Sequence, residues 1–533
     1  MERSSGILMP VSSLPSPYGI GTFGKAAYEF ADFLRAAGQG YWQMLPLGPT
    51  SYGDSPYQSF STFAGNPYLI DLDLLVADGL VEQKEIDAED WGNDPRHVDY
   101  GKLYEGRFAV LAHAKKRGWL RDKEQVAAFA EENKNWLPDY TLFMALKRHY
   151  LMKPWTEWPE DVRLRKSEAL EEMRSKLKAD IELYTYIQYL FFKQWHALKE
   201  YINGLGIKII GDLPIYVAMD SCDVWAEPEF FQLDEKGYPT AVSGVPPDYF
   251  TEDGQLWGNP LYNYERMQQD GFGWWIRRVG GIEKLFDVIR LDHFRGFASY
   301  WSVPYGDKTA RNGKWVNGPG MTLIGPLTGW FHYLEFIAED LGVGTPDVKQ
   351  LLADSGLPGM RVLEFAFDSK EDSNYLPHRY AENSVCYTGT HDNEPLALWK
   401  KGAKPEDLEF AQRYLNLTEQ EGFNWGIIRG GMCSVAKLFV AQMQDYLELG
   451  EGARINAPGT PSGNWTWRML PGEIKPELTA RIRSVTKMYS RLSRKALEEE
   501  WKAAEEAWNA KVAAEKAEAE KAEQAAKTKA KKA

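Results

Sequence analysis

Residues 207–215, IKIIGDLPI, are apolar at almost every position. A strand with one wet face alternates apolar and polar residues. A continuous run suits a strand covered on both faces, as in the parallel sheets of α/β proteins. Seven further short segments carry a strand signal: residues 6–12, 41–47, 288–292, 336–339, 360–364, 384–388 and, more weakly, 453–455. Helical patterns lie between them. Residues 25–37 set Ala26, Phe30, Phe33 and Leu34 at helical spacing, and Gly38 follows as a stop signal. Strand, helix, strand in this order gives parallel pairing. The expectation is an α/β fold, a (β/α)8 TIM barrel.

The chain has 533 residues, well beyond the roughly 250 of a plain barrel. Two excursions take up the excess. Residues 48–206 begin with a Gly-, Pro-, Ser- and aromatic-rich loop after the second strand and continue as charged helical patterns. The stripe Tyr186, Tyr189, Phe192 and Trp195 near their end has helical spacing and reads as core. Residues 216–275 hold another long loop, stiffened by two consecutive prolines, that reads as a lid. The expected organisation is a catalytic barrel over residues 1–495 with inserted, mainly helical subdomains. A low-complexity Ala/Glu/Lys-rich helical tail takes residues 496–533.

The formal net charge of -14 argues against nucleic acid and anionic membranes as partners. Three widely separated cysteines give neither a disulfide framework nor a zinc pattern. With no secretory signal and no apolar run long enough for a bilayer, a cytoplasmic location is expected. The eight histidines are scattered, and no metal site is expected. No GxGxxG follows a strand, and neither a P-loop nor a GxSxG elbow occurs.

Residues 288–292, VIRLD, put Arg290 and Asp292 on one strand face. The arginine favours the charged form of Asp292, and an ionised, partly desolvated aspartate can act as a nucleophile. Taken alone, the pair reads equally well as a structural ion pair. Other polar residues change the balance. Asp212, Glu339 and Asp392 also follow strand signals, and in a barrel these ends meet on one face. Glu339 follows an apolar run, and burial raises a carboxyl pKa, as a general acid needs. Two carboxylates about 5–5.5 Å apart are the kit of a retaining glycosidase.

The segments RLDHFRG, IAEDLG, GTHDNE, GDLPIYV and SPYQSFSTFAGNP resemble the signatures of the 4-α-glucanotransferases. These are the amylomaltases or disproportionating enzymes, glycoside hydrolase family 77 within the α-amylase clan. The resemblance runs from about residue 4 to 494. It implies a (β/α)8 barrel without the C-terminal β-sandwich of most amylases. It implies Asp292 as nucleophile, Glu339 as general acid/base and Asp392 as transition-state stabiliser. Arg290, His293 and His391 match donors around the scissile bond. Tyr57, Asp212, Trp257, Asn259 and Asn464 match sugar-contacting positions. Residues 244–254 match a loop over the acceptor side. No cofactor is implied.

The implied substrates are α-1,4-glucans and maltooligosaccharides. The implied reaction is retaining transfer of glucan segments. An α-1,4-glucan hydrolase of the same clan is the alternative, because the three carboxylates do not separate the two. A catalytically silent glucan-binding protein is a third reading, opposed by the presence of all three acids. Oligomeric state, donor length and the role of the tail stay open.

Overall fold

A computed structural model describes residues 1–247, 252–342, 344–460 and 462–531. Twelve strands lie in it: β1 Ser4–Leu8, β2 Tyr41–Gln43, β3 Lys208–Leu213, β4 Ala241–Val245, β5 Gln255–Pro260, β6 Val288–Leu291, β7 Ser299–Pro304, β8 Lys314–Asn317, β9 Glu335–Ala338, β10 Gly359–Val362, β11 Ser384–Tyr387 and β12 Leu438–Gln442. Eight of them close a parallel barrel in the order β1–β2–β3–β6–β9–β10–β11–β12, with β12 paired back onto β1. Closure removes every edge. It also turns all eight C-terminal ends to the same rim.

Local sequence explains the close packing. Gly211 on β3 has no alternative, because a Cβ there would lie 1.9 Å from the Phe286 ring. The helix Lys25–Ala36 buries Ala27, Phe30, Ala31, Phe33 and Leu34 against the barrel. It is followed by Gly38 at φ +74°, the left-handed backbone that glycine adopts without penalty.

One strand assignment needs correction. The eighth barrel strand is Leu438–Gln442, fully buried, not residues 453–455. The segment LFVAQ is short and follows a helix closely, so its run is easily read as part of that helix. Residues 453–455 instead form a loop, whose polar groups bond to the mouth of the barrel.

The first excursion is helical. Its helices Tyr100–Arg121, Lys123–Glu132 and Leu137–His149 pack on Lys178–Gly204. That long helix also meets the barrel, where Trp195 lies 5.0 Å from Phe23 and 6.3 Å from Phe286, ring centre to ring centre. Tyr186, Phe192 and Trp195 are buried, as a core stripe requires. The second excursion departs from the mainly helical expectation. Strands β4 and β5 join β7 and β8, from the next crossover, in an antiparallel sheet of order β5–β4–β7–β8. The Pro- and Gly-rich text of residues 241–260 hides these strands from a periodicity reading.

After β12 come the helices Met443–Tyr446, Pro476–Met488 and Arg494–Ala530. Among the described residues, no helix is long and apolar enough to cross a membrane.

Candidate active site

Register places the first pair. Asp212 on β3 lies opposite Arg290 on β6. Arg290 Nη1 donates to both oxygens of Asp212 at 2.8 and 2.7 Å, and to Asp292 Oδ1 at 3.0 Å. The Arg290 and Asp212 side chains are 3% and 1% exposed, whereas Asp292 is 24% exposed at the rim. Burial disfavours the guanidinium charge, but Asp212, Asp292 and Glu339 together raise its pKa well above the ordinary value. Tyr57 reaches in from the loop after β2 and donates its hydroxyl to Asp212 Oδ2 at 2.6 Å.

Glu339 follows the neighbouring strand β9. Its Oε2 accepts from the His293 backbone N–H at 2.8 Å, and its Oε1 from the Leu341 N–H at 3.0 Å. His293 has φ +46°, a left-handed conformation costly for a non-glycine residue. The turn aims the N–H next to Asp292 at the Glu339 carboxyl. Such local strain is characteristic of functional sites. Burial lowers the His293 imidazole to about 4, so it is neutral near pH 7.

Burial also pushes both carboxyls up. Asp292 rises to about 7, with Arg290 opposing and Asp212 and Asp392 adding to the rise. Glu339 rises to about 8, with Arg290 opposing and Asp292 adding. The sequence argument has Arg290 holding Asp292 ionised. Arg290 does pull that way, but desolvation outweighs it. The Asp292 charge opposes ionisation of Glu339, and two carboxyls that repel in this way favour sharing one proton. Asp292 has the direct bond to Arg290 and Glu339 does not, so Glu339 keeps the proton. This is the division of labour between nucleophile and acid.

Asp392 lies in the loop after β11, beside His391. His391 Nε2 is 3.4 Å from Asp392 Oδ1, and its ring stacks on Tyr57 at 5.1 Å. Burial lowers the His391 pKa, and its Nδ1 is buried without a partner. Trp257 meets His293 edge-on at 4.8 Å. Tyr57, Asp212, Arg290, Asp292, His293, Glu339, His391, Asp392 and Trp257 are therefore brought together.

Two expected sugar contacts, Asn259 and Asn464, also hold partners within the protein. Asn259 is buried: its Nδ2 donates to the Val217 carbonyl at 2.9 Å, and its Oδ1 accepts from Ser243 at 3.4 Å. Asn464 closes its own loop, accepting from the Ala457 N–H at 2.9 Å and donating to Thr460 Oγ1 at 3.0 Å. Of the expected lid, residues 244–254, positions 248–251 lie outside the described residues, as does position 461 near Asn464.

The sequence model of one enzyme family, described as 4-alpha-glucanotransferase of glycoside hydrolase family 77, matches residues 9–473. The chain belongs to this family. It is 48% identical to the 4-alpha-glucanotransferase of Clostridium butyricum over 486 residues, covering 91% of this chain and 100% of that one. It is 48% identical to the 4-alpha-glucanotransferase of Thermus thermophilus over 503 residues, covering 92% and 100%. Among solved structures, an amylomaltase from Streptococcus agalactiae in complex with acarbose superposes with a TM-score of 0.90 at 42% identity, covering 92% of this chain and 100% of that one.

Within this 4-alpha-glucanotransferase fold, three further residues reach the site without a signal in the strand-by-strand reading. Trp465 packs 5.7 Å from Tyr57 and 5.9 Å from His391. Asn456 donates from Nδ2 to Asp392 Oδ1 at 2.6 Å, and Arg454 donates to the Asp392 carbonyl at 2.8 Å. Reading residues 453–455 as a strand assigned Arg454 to a ladder. The run NAPG just after them, a turn signal, is the cue that points instead to a loop.

Proposed function

We propose that the chain transfers α-1,4-glucan segments between maltooligosaccharides or starch-type glucans by retaining double displacement. The observation that carries this reading is the Arg290-bonded Asp292 beside a more basic, half-buried Glu339 on the next strand end.

Asp292 attacks the anomeric carbon, and the bond to the leaving glycosidic oxygen breaks. Glu339 gives that oxygen its proton. Glu339, now a base, takes the proton from the 4-hydroxyl of an acceptor glucan. That oxygen displaces Asp292 from the anomeric carbon, and two inversions give retention. Asp392 holds sugar hydroxyls while the ring flattens. Neutral His293 and His391, Arg290, Tyr57, Asp212 and Trp257 bind and orient the sugars. Asn259 and Asn464 act through the loops they brace.

Transfer rather than hydrolysis requires acceptor sugar to outcompete water at the glycosyl-enzyme stage. The naming of the curated relatives as glucanotransferases supports transfer over the hydrolase alternative. Three unpaired cysteines suit a reducing, cytoplasmic setting. Incubation with maltotriose tests the reading. Transfer releases glucose together with a ladder of longer maltodextrins. Products no longer than maltotriose overturn it in favour of hydrolysis, and Asp292→Asn should abolish both outcomes.

A further inference from the structure

The helix Arg494–Ala530 is rooted in the barrel and then leaves it. Ala496 is buried, Glu499 pairs with Arg35, and Glu500 pairs with Arg483 at 3.0 Å and with Lys487. Beyond Glu500, among the described residues, no hydrogen bond or ion pair ties the helix to the body. Residues 501–530 thus project as a rod of about 45 Å. The family match ends at residue 473, so this rod is additional to the conserved enzyme.

Its sequence is not a uniform solvated helix. At about 100° per residue, Trp501, Trp508, Val512, Ala519, Ala526 and Ala530 fall within about 20° of a single line along the rod. Trp501 to Val512, and Trp508 to Ala519 to Ala530, repeat at eleven residues. That is the period of a nearly straight or slightly right-handed helix pair. The two tryptophans are each 66% exposed, and such surface is costly in water.

The stripe is asymmetric in two ways. Its first half is bulky and its second half is alanine. Its charges are also divided. Glu505 and Glu506 lie in the bulky half, whereas beyond Glu523 the sequence has four lysines and no acid. A parallel pairing would set tryptophan on tryptophan and acid on acid. An antiparallel pairing, with its two-fold axis between Glu515 and Lys516, sets Trp501 against Ala530 and Val512 against Ala519. It brings Glu505 beside Lys527 and places Glu515 opposite Lys516 twice, across the axis. Lys511 likewise meets Glu520, whereas Trp508 and Ala526 fall opposite Glu523 and Glu505.

We propose that the projecting helix is a dimerisation arm whose occupant is the same helix of a second copy, antiparallel and in this register. Light scattering on the eluting full-length chain tests it. The expected result is twice the chain mass at micromolar concentration. Trp501→Lys with Trp508→Lys should return the monomer while transfer on maltotriose is unchanged. Glu505→Lys should also weaken the dimer, and adding Lys527→Glu to that variant should restore it. That rescue is particular to the antiparallel arrangement. A monomeric wild type at 100 µM overturns the proposal, as does a dimer indifferent to both tryptophans. A monomer that loses retention on insoluble starch when Trp501 and Trp508 become alanine also overturns it, because the stripe would then be a sugar platform.

Discussion

Asn456 holds Asp392 by two routes. Its side-chain Nδ2 donates to Asp392 Oδ1 at 2.6 Å, and its backbone N–H donates to the His391 carbonyl at 3.1 Å. One oxygen of the carboxylate is thereby fixed, while the side chain stays 44% exposed. Asn456→Ala should lower kcat by about 10²-fold, the usual scale of misplacing a reacting group by an ångström, with a much smaller change in KM. Asn456→Gln, whose amide sits one methylene further out, should recover only part of the loss. Steady-state kinetics on maltotriose read the split, and an unchanged kcat for the alanine variant removes the positioning role.

The two raised carboxyls set the pH profile. Transfer needs Asp292 ionised and Glu339 protonated. Activity should fall as pH drops through about 7, where Asp292 takes a proton. It should fall again as pH rises through about 8, where Glu339 loses one. The kcat/KM profile reports these values for the free enzyme. Arg290→Gln should move the acidic limb upward, because Arg290 is the group that favours the ionised Asp292. A limb near 4, the ordinary carboxylate range, or one unmoved in that variant, contradicts the assignment.

The barrel and its three acids were legible because each rests on a local signal. Buried strands such as residues 207–215 are continuous apolar runs. Each acid follows such a run, and closure converts sequence position into a shared rim. What escaped depends on long-range geometry. Strand β12 is only five residues long and directly follows helical text. Strand β4 pairs with β7, about 60 residues later, and β5 pairs with β4, so no local period announces them. The braces Arg454 and Asn456 act across more than sixty residues. Arg290 and Asp292 were correctly placed on one face, but the sign of the net effect on Asp292 needed its burial, which no sequence pattern supplies.

Gly359 tests how tightly Glu339 is seated. Gly359 pairs with Ala338 at the end of β9. The adjacent Asp340 accepts from the Met360 N–H at 2.7 Å and from Arg361 Nη1 at 3.1 Å. A Cβ at position 359 would lie 2.7 Å from Asp340 Oδ1. Gly359→Ala must therefore push Asp340, and with it the backbone that carries Glu339. The expected cost is about 1–3 kcal/mol of stability, with a fall in kcat. Urea unfolding and kinetics measure the two effects. A variant that keeps both wild-type values shows that the seat of Glu339 yields without consequence.

Arg491 should separate stability from chemistry. Its guanidinium donates to five backbone carbonyls: Met432 at 2.7 Å, Ser4 at 2.9 Å, Lys437 at 3.2 Å, Ser434 at 3.0 Å and Ala436 at 2.8 Å. Burial lowers its pKa to about 10, which still leaves it charged near pH 7. The Ser4 carbonyl opens β1, and the others lie at the end of the helix Phe423–Cys433 and in the turn into β12, where the barrel closes, opposite the rim that carries the acids. Arg491→Met removes these five donations. Arg3 still donates to the Met432, Ser434 and Ala436 carbonyls, and the Ser4 N–H to that of Lys437, so the main loss is at the Ser4 carbonyl, about 1–3 kcal/mol for one buried acceptor left unsatisfied. The unfolding midpoint should therefore drop by that scale. Arg491→Lys should recover little, because three donors on a point charge do not reproduce a planar fork of five. Well below its midpoint the variant should retain wild-type kcat and the same product ladder from maltotriose. A variant as stable as the wild type would show that the barrel closes without this latch. A folded variant with altered kcat would show that the two ends of the barrel are coupled.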